Sequence, residues 1–353
     1  MSKYKVIGVM SGTSLDGIDL VYAEFDYNDT WEFEIIFAET IPYTSDWVIR
    51  LKGLINYSIQ DLQVLDIKYT EYLSSVISKF MHDNKIETID FISSHGHTAL
   101  HQPELGLTYQ IGNLQIMSDV LRQKVICDFR IQDVDFGGQG APLVPVGDHL
   151  LFSEYDYCLN LGGFANISFE KNNTRIAFDI CPVNIVLNHY VSFLDLEYDD
   201  RGIQANGGKV SIGLLDDLNR LDFYNLTPPK SLGLEWVKKN IFPVIDAYKL
   251  NVQSVLRTFV EHIAFQISTI LSEGNGTVLI TGGGAYNDFL ISRISSRSKC
   301  EIVIPQSNLI EFKEALIFGF LGVLKDRNEV NCLRDVTGAK TDHSSGKILL
   351  PNT

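Results

Sequence analysis

GVMSGTSLDGID, residues 8–19, joins the apolar run KVIGVM to a second one, IDLVYAEF. A hairpin between two strands needs only about two turn residues, commonly Asn-Gly or Asp-Gly. This connection is longer and carries two glycines, two serines or threonines beyond the first serine, and two aspartates. Glycine lets the backbone approach a ligand closely, and successive amides pointing one way form an anion-binding nest. Hydroxyl groups add donors to phosphate oxygens, and a neighbouring aspartate holds Mg²⁺, commonly through water. The turn therefore reads as one built to wrap a nucleotide triphosphate and its metal.

Two further strands end in turns of this kind. DYCLNLGGFANISFEKNNTRIAFDICPVN reads as strand, glycine turn, strand, turn and a third strand running into Asp179, a weak repeat of the pattern at residues 4–25. TVLITGGGAYN is a buried-looking strand that breaks on three glycines. None of the three turns is a GxxxxGK[ST] loop, and TGGGAYN is not a GxGxxG dinucleotide fingerprint, so those two nucleotide folds lose ground. Helical spacing of apolar residues runs through residues 47–83 and through NVQSVLRTFVEHIAFQISTIL, while EALIFGFLGVL is apolar almost all round, as an interior helix is. Strands alternating with helices predict an α/β protein.

The chain of 353 residues is long enough for two domains with separate cores. The glycine- and proline-rich run VDFGGQGAPLVPVGDHLLF sets the expected boundary, giving domains at 1–140 and 141–353, with the last helix free to pack back on the first domain. Hydrophobic residues at 45% and charged residues at 21% are ordinary globular values. With 29 basic and 44 acidic residues the net charge is −15, which offers no basic patch to nucleic acid or to an anionic membrane. Five scattered cysteines without a CxxC pair suggest neither a disulfide framework nor a zinc site. The N-terminal apolar run is too short for a signal-peptide core, so a cytoplasmic location is expected.

GVMSGTSLDGID, SHGHTALHQP, YQIGN, CDFRIQDVDFGGQGAPLVP, NLGGFANIS, FD with PVN, PPKSLGLEW, LITGGGAYN, KEALIF and VTGA are spread from residue 8 to residue 339. Together they closely resemble the 1,6-anhydro-N-acetylmuramic acid kinases, and the resemblance covers essentially the whole chain. It implies two ribonuclease-H-like domains of the actin-like ATPase type with ATP in a cleft between them. It also implies a reaction: water opens the 1,6-anhydro bridge of the amino sugar while the γ-phosphoryl group of ATP passes to O6. The product is N-acetylmuramic acid 6-phosphate, an intermediate of cell-wall recycling. The expected ligands are small molecules, the amino sugar with ATP and Mg²⁺, and a homodimer is compatible with the sequence.

By resemblance Asp179 is the general base; the bland alternative is a turn or N-cap aspartate. Ile180, Cys181 and Val183 replace residues that relatives keep small, which would narrow the substrate contact or change the backbone there. The nucleotide is expected on Gly12, Thr13, Ser14, Leu15, Asp16, Gly17, Ile18 and Asp19, with Asp16 nearest the metal. Gly162 and Gly163 form the second phosphate turn, and Gly282, Gly283 and Gly284 the adenosine side. Substrate contacts are expected from His97, Arg130, Asn184 and Glu314. Arg130 either holds the lactyl carboxylate or pairs with Asp133 at the surface. Glu314 is a lone charge on an apolar helix, so it reaches the surface, meets a cation or faces the site. Zinc on His95, His97 and His101 has no use in this chemistry, and Lys230 reads as a structural, helix-capping lysine left outside the site. Two alternatives stay open: a kinase of another sugar or acid on the same fold, and a non-catalytic actin-like nucleotide-binding module. The second has no use for Asp16, Asp179 and Glu314.

Overall fold

A computed structural model describes residues 2–12, 15–271 and 275–352. The chain divides into two compact units, residues 1–152 with 312–353, and residues 153–311. The first division falls beyond the glycine–proline run, and the second lies inside the helix Ser307–Asp326, so the C-terminal segment belongs to the first unit.

In the first unit, β1 (Ser2–Ser11), β2 (Gly17–Asn28) and β3 (Thr30–Pro42) form an antiparallel meander. β4 (Phe91–Gln102) lies parallel to β1, its far end pairs with β5 (Leu107–Ile111), and β6 (Val125–Cys127) lies parallel on its other side. The order beyond β5 is β12 (Lys347–Leu349), β6, β4, β1, β2, β3. Side chains alternate across a strand. Ile7 and Val9 of β1 therefore share one core with Leu62, Leu65, Tyr69, Leu73, Ile77 and Phe80, the apolar stripe of the helix Ile59–Asp83. Gly8 turns to the opposite face and meets the helix Ser307–Asp326.

The second unit repeats the plan. β7 (Tyr157–Leu161), β8 (Phe164–Lys171) and β9 (Thr174–Pro182) make the antiparallel meander, and β10 (Thr277–Thr281) and β11 (Glu301–Val303) follow in parallel. The order β11-β10-β7-β8-β9 matches β6-β4-β1-β2-β3 strand for strand. Each unit thus has the ribonuclease-H-like arrangement expected of it. The helix Val252–Leu271 covers this sheet with Leu256, Phe259, Val260, Ile263 and Ile267. Burying each such side chain is worth about 1.5–3 kcal/mol before chain entropy is counted. Among the described residues no helix is long and apolar enough to cross a membrane.

Candidate active site

Ser11, the last residue of β1, is the centre of a buried polar cluster. Ser11 Oγ lies 2.5 Å from Tyr43 Oη, 2.8 Å from Tyr69 Oη and 2.8 Å from His97 Nδ1, and the two tyrosine hydroxyls are 2.6 Å apart. Burial pushes the imidazole of His97 down to about 4 and the Tyr43 phenol up to about 12, so at neutral pH the cluster is uncharged. Leu15 takes a positive φ of 63°, Asp16 is exposed, and Gly17 N donates to Asp16 Oδ1 at 3.0 Å. Thr13 and Ser14 lie outside the described residues. Gly17 is a glycine because of β3: a Cβ there would stand 2.6 Å from Thr40 Cγ2. The side chain of Ile18 is in the core, and Asp19 Oδ1 accepts from Thr40 Oγ1 at 2.6 Å.

Arg130 is held by its neighbours at the end of β6. His95 Nδ1 donates to Gly96 O at 2.7 Å, which leaves His95 Nε2 to accept from Arg130 Nε at 2.8 Å. Arg130 Nη1 donates to Gly140 O at 2.7 Å. Burial, aided by the Arg130 charge, keeps His95 well below the ordinary histidine range and therefore neutral. Arg130 does not pair with Asp133, contrary to the surface alternative. Asp133 is fully buried and accepts from Gly140 N and Thr337 Oγ1, both at 2.7 Å. Asn113 Nδ2 bridges the ends of β4 and β6, donating to His95 O and to Asp128 Oδ1, while Asp128 takes a φ of 58°.

Glu314 stands one residue beyond Lys313, whose buried ammonium pairs with buried Asp148 at 2.9 Å. Solvent reaches the Glu314 side chain, yet enough protein surrounds it that desolvation raises its carboxyl above the usual range. Arg130 opposes that rise, Asp19 adds to it and Lys313 opposes it. Among the expected site residues of the first unit, the electrostatic link is between Glu314, Arg130 and Asp19, while His97 belongs to the Ser11 cluster and the Ile18 side chain to the core.

In the second unit the two glycine turns are packed on each other. A Cβ at Gly282 would stand 2.5 Å from Asn160 Oδ1, and one at Gly284 2.7 Å from Leu161 Cβ. Gly163 and Gly283 are the open ones, each with a single neighbour, at 3.9 Å from where a Cβ would be. The carbonyls of Gly162 and Gly163 accept from the first amides of the helix Asn184–Val191, and Asn184 Nδ2 donates to Leu161 O at 3.2 Å. Beside Gly283 lies a cavity of about 760 Å³, lined among others by Asn184, Tyr198, Tyr286, Ile304 and Ile310. That is the size of a typical small-molecule site.

Asp179 sits near the end of β9, and it does not cap a helix. Its Oδ2 accepts from Leu232 N at 2.8 Å, while its own amide donates to Lys230 O at 3.1 Å. Burial raises its carboxyl above the ordinary value, and the Leu232 amide opposes the rise. Lys230 is structural, as expected: Nζ donates at 3.2 Å to Phe223 O, a carbonyl of the short 3-10 helix Asp222–Asn225, and lies over the Phe223 and Phe178 rings, pinning the segment that grips Asp179. PPKSLGLEW carries no local sign of this grip, because the contact is made by backbone atoms 53 residues away. The β8–β9 register slips at Ile180, and Ile180, Cys181 and Val183 are all buried in the core of this unit. The three departures from small residues therefore fill the core.

A family model described as anhydro-N-acetylmuramic acid kinase matches residues 4–351. A protein of that name from Sulfurovum sp. is 32% identical over 364 residues, covering 99% of each chain. Another from Mannheimia succiniciproducens is 31% identical over 375 residues, again covering 99% of each. Among solved structures, an activator of 2-hydroxyisocaproyl-CoA dehydratase from Clostridium difficile aligns over 92% of this chain and 97% of its own, with 13% identity and a TM-score of 0.44.

Proposed function

The chain belongs to the anhydro-N-acetylmuramic acid kinase family, and from that membership we propose how its residues divide the work. The reaction is ATP-dependent phosphorylation of 1,6-anhydro-N-acetylmuramic acid with hydrolytic opening of its anhydro bridge, a step of peptidoglycan recycling. Asp179 Oδ1 takes a proton from water, and the water oxygen forms a bond to C1. The C1–O6 bond breaks, O6 takes the γ-phosphoryl group, and ADP leaves. The observation that carries this reading is the state of Asp179: one carboxylate oxygen fixed by the Leu232 amide, and a proton affinity raised by burial. Both suit a general base, which must be positioned first and basic second.

ATP fits the second unit by the open faces of Gly163 and Gly283 and the cavity beside Asn184, which takes the nucleoside. In the first unit, the described part of the β1–β2 turn, Gly12 with Leu15 to Gly17, serves as a phosphate-binding turn. Asp16, an exposed hard oxygen donor, suits Mg²⁺, which would neutralise charge on the phosphates when bound with the nucleotide. Within the first unit, Arg130 binds the lactyl carboxylate, and His97 and Glu314 contact the rest of the sugar. In this reading the chain acts in the cytoplasm on small molecules, without nucleic acid or membrane, and a homodimer is allowed.

The test is incubation with ATP, Mg²⁺ and anhydro-N-acetylmuramic acid, with products read by mass spectrometry. A sugar product heavier by one water and one phosphoryl group supports the proposal. Phosphorylation without water uptake, or transfer only to other sugars, overturns it in favour of another kinase on this fold.

A further inference from the structure

We infer that the first unit carries a buried site for a borderline-soft divalent cation such as Zn²⁺, built from Asp133, Cys332 and His343. Their candidate ligand atoms all lie within 4.8 Å of one another, and the three residues are 0%, 1% and 7% exposed. Cys332 and His343 are cross-strand partners, each donating its amide to the other's carbonyl, at 3.1 and 3.2 Å.

The proton on His343 is placed by its surroundings. Nδ1 lies 3.0 Å from Thr341 O, which can only accept, so Nδ1 carries the hydrogen. Nε2 is then aimed at the cluster, buried and without a hydrogen-bond partner. Its nearest acidic atom, Asp133 Oδ1, is 3.6 Å away, too far for a hydrogen bond. Leaving such an atom unsatisfied is costly.

A cation removes the cost. Two ligand atoms held about 2.1 Å from a tetrahedral ion stand about 3.4 Å apart, close to the separation observed. One imidazole, one carboxylate and the Cys332 sulfur, which would release its proton to solvent as the ion binds, form with a water as fourth ligand a donor set that Zn²⁺ accepts and Mg²⁺ does not favour. The outer contacts have the form that orients metal ligands: a backbone carbonyl on the second imidazole nitrogen, and hydrogen bonds on the carboxylate from Gly140 N and Thr337 Oγ1. The Phe136 ring, edge-on to His343 at 4.9 Å, fixes the imidazole plane. The ion would tie the C-terminal segment to the loop whose Gly140 carbonyl holds Arg130. Residue spacing carries no sign of it, because the carboxylate and the thiol are 199 residues apart.

The experiment uses the whole protein, stripped with a chelator and kept free of nucleotide and Mg²⁺, then titrated with Co²⁺. One equivalent should bind, giving the visible bands of four-coordinate cobalt and a near-ultraviolet thiolate-to-cobalt band, and Zn²⁺ should displace it. Cys332→Ser should lose the near-ultraviolet band, and His343→Asn should weaken uptake at least tenfold. Should either variant fold poorly, the wild type alone decides, since Zn²⁺ must raise its thermal midpoint if the folded state binds it. No stoichiometric uptake by the wild type, no midpoint shift, or a cobalt spectrum unchanged in Cys332→Ser overturns the site and leaves His343 as a buried side chain held by Thr341 O. None of these readouts involves phosphoryl transfer, so they stand whatever the sugar substrate proves to be.

Discussion

Gly8 on β1 and Gly319 on the helix Ser307–Asp326 stand closer than any side chain would permit. A Cβ on Gly8 would lie 3.0 Å from Gly319 N and on top of the Ala315 carbonyl oxygen. The helix is seated on the sheet backbone itself, and Glu314 is the residue immediately before Ala315. The position of that carboxylate is thus fixed by an absence of side chains two strand residues before Met10.

Gly8→Ala should therefore destabilise the protein by about 3 kcal/mol, the upper part of the range for overpacking, because the clash is with backbone and no rotamer relieves it. The same variant should lower turnover by displacing Glu314. Thermal unfolding with kinetics on one preparation checks both. A midpoint equal to wild type would mean that the helix is not seated as described.

His97 makes the protein sensitive to acid. Its folded-state affinity for protons, about 4 against an ordinary 6.5, means that the unfolded chain binds more protons between those pH values. Stability therefore rises with pH across that window, and about 3 kcal/mol is lost as pH falls from 6.5 to 4. His97→Gln keeps a hydrogen-bonding side chain beside Ser11 Oγ but cannot titrate. Denaturant unfolding of both proteins at pH 7 and pH 4.5 should give a smaller acid loss in the variant, and equal losses would assign the sensitivity elsewhere, with buried His262, depressed to about 3, as the next candidate.

Arg130 uses a fork that lysine cannot copy. Nε is committed to His95 and Nη1 to Gly140 O, a two-armed hold that an ammonium does not reproduce. Arg130→Lys should raise KM for the sugar about tenfold or more, equivalent to at least 1.4 kcal/mol of lost binding, with KM for ATP unchanged. A rise in both constants together would point to a general loosening of the first unit.

The hairpins, the long helices and the glycine turns were legible because each is a local pattern. The duplicated sheet followed from two such patterns in one chain. β12 was not legible: three residues, Lys347–Leu349, become a strand only through pairing with β6. Nor was the buried role of Asp133, whose partner Thr337 is 204 residues away. Glycines misled in a specific way. Gly17, Gly282 and Gly284 are small because neighbouring atoms occupy the space, whereas Gly163 and Gly283 border open space. A sequence spells both kinds with the same letter, so the turns were found while their open faces were not.

Asp179 carries the final prediction. A base acting on water in the transition state contributes to kcat more than to binding, and such catalysis is worth about 10²–10⁴-fold. Asp179→Asn should lower kcat by at least that order. The amide oxygen of asparagine can still accept from Leu232 N, so the 230–232 segment should stay in place. Burial disfavours the ionised carboxylate, so the neutral amide should leave the thermal midpoint unchanged or slightly higher. A turn-capping aspartate would behave in the opposite way, losing stability and keeping turnover. The pH profile gives an independent reading. Because burial raises the Asp179 carboxyl, the wild-type kcat/KM should fall on its acid limb at a pH above the ordinary aspartate value of 3.8, as the base becomes protonated. That limb should vanish from the residual activity of the asparagine variant. Turnover surviving within tenfold, with the acid limb intact, would remove Asp179 from the chemistry and make Glu314 the residue to replace next.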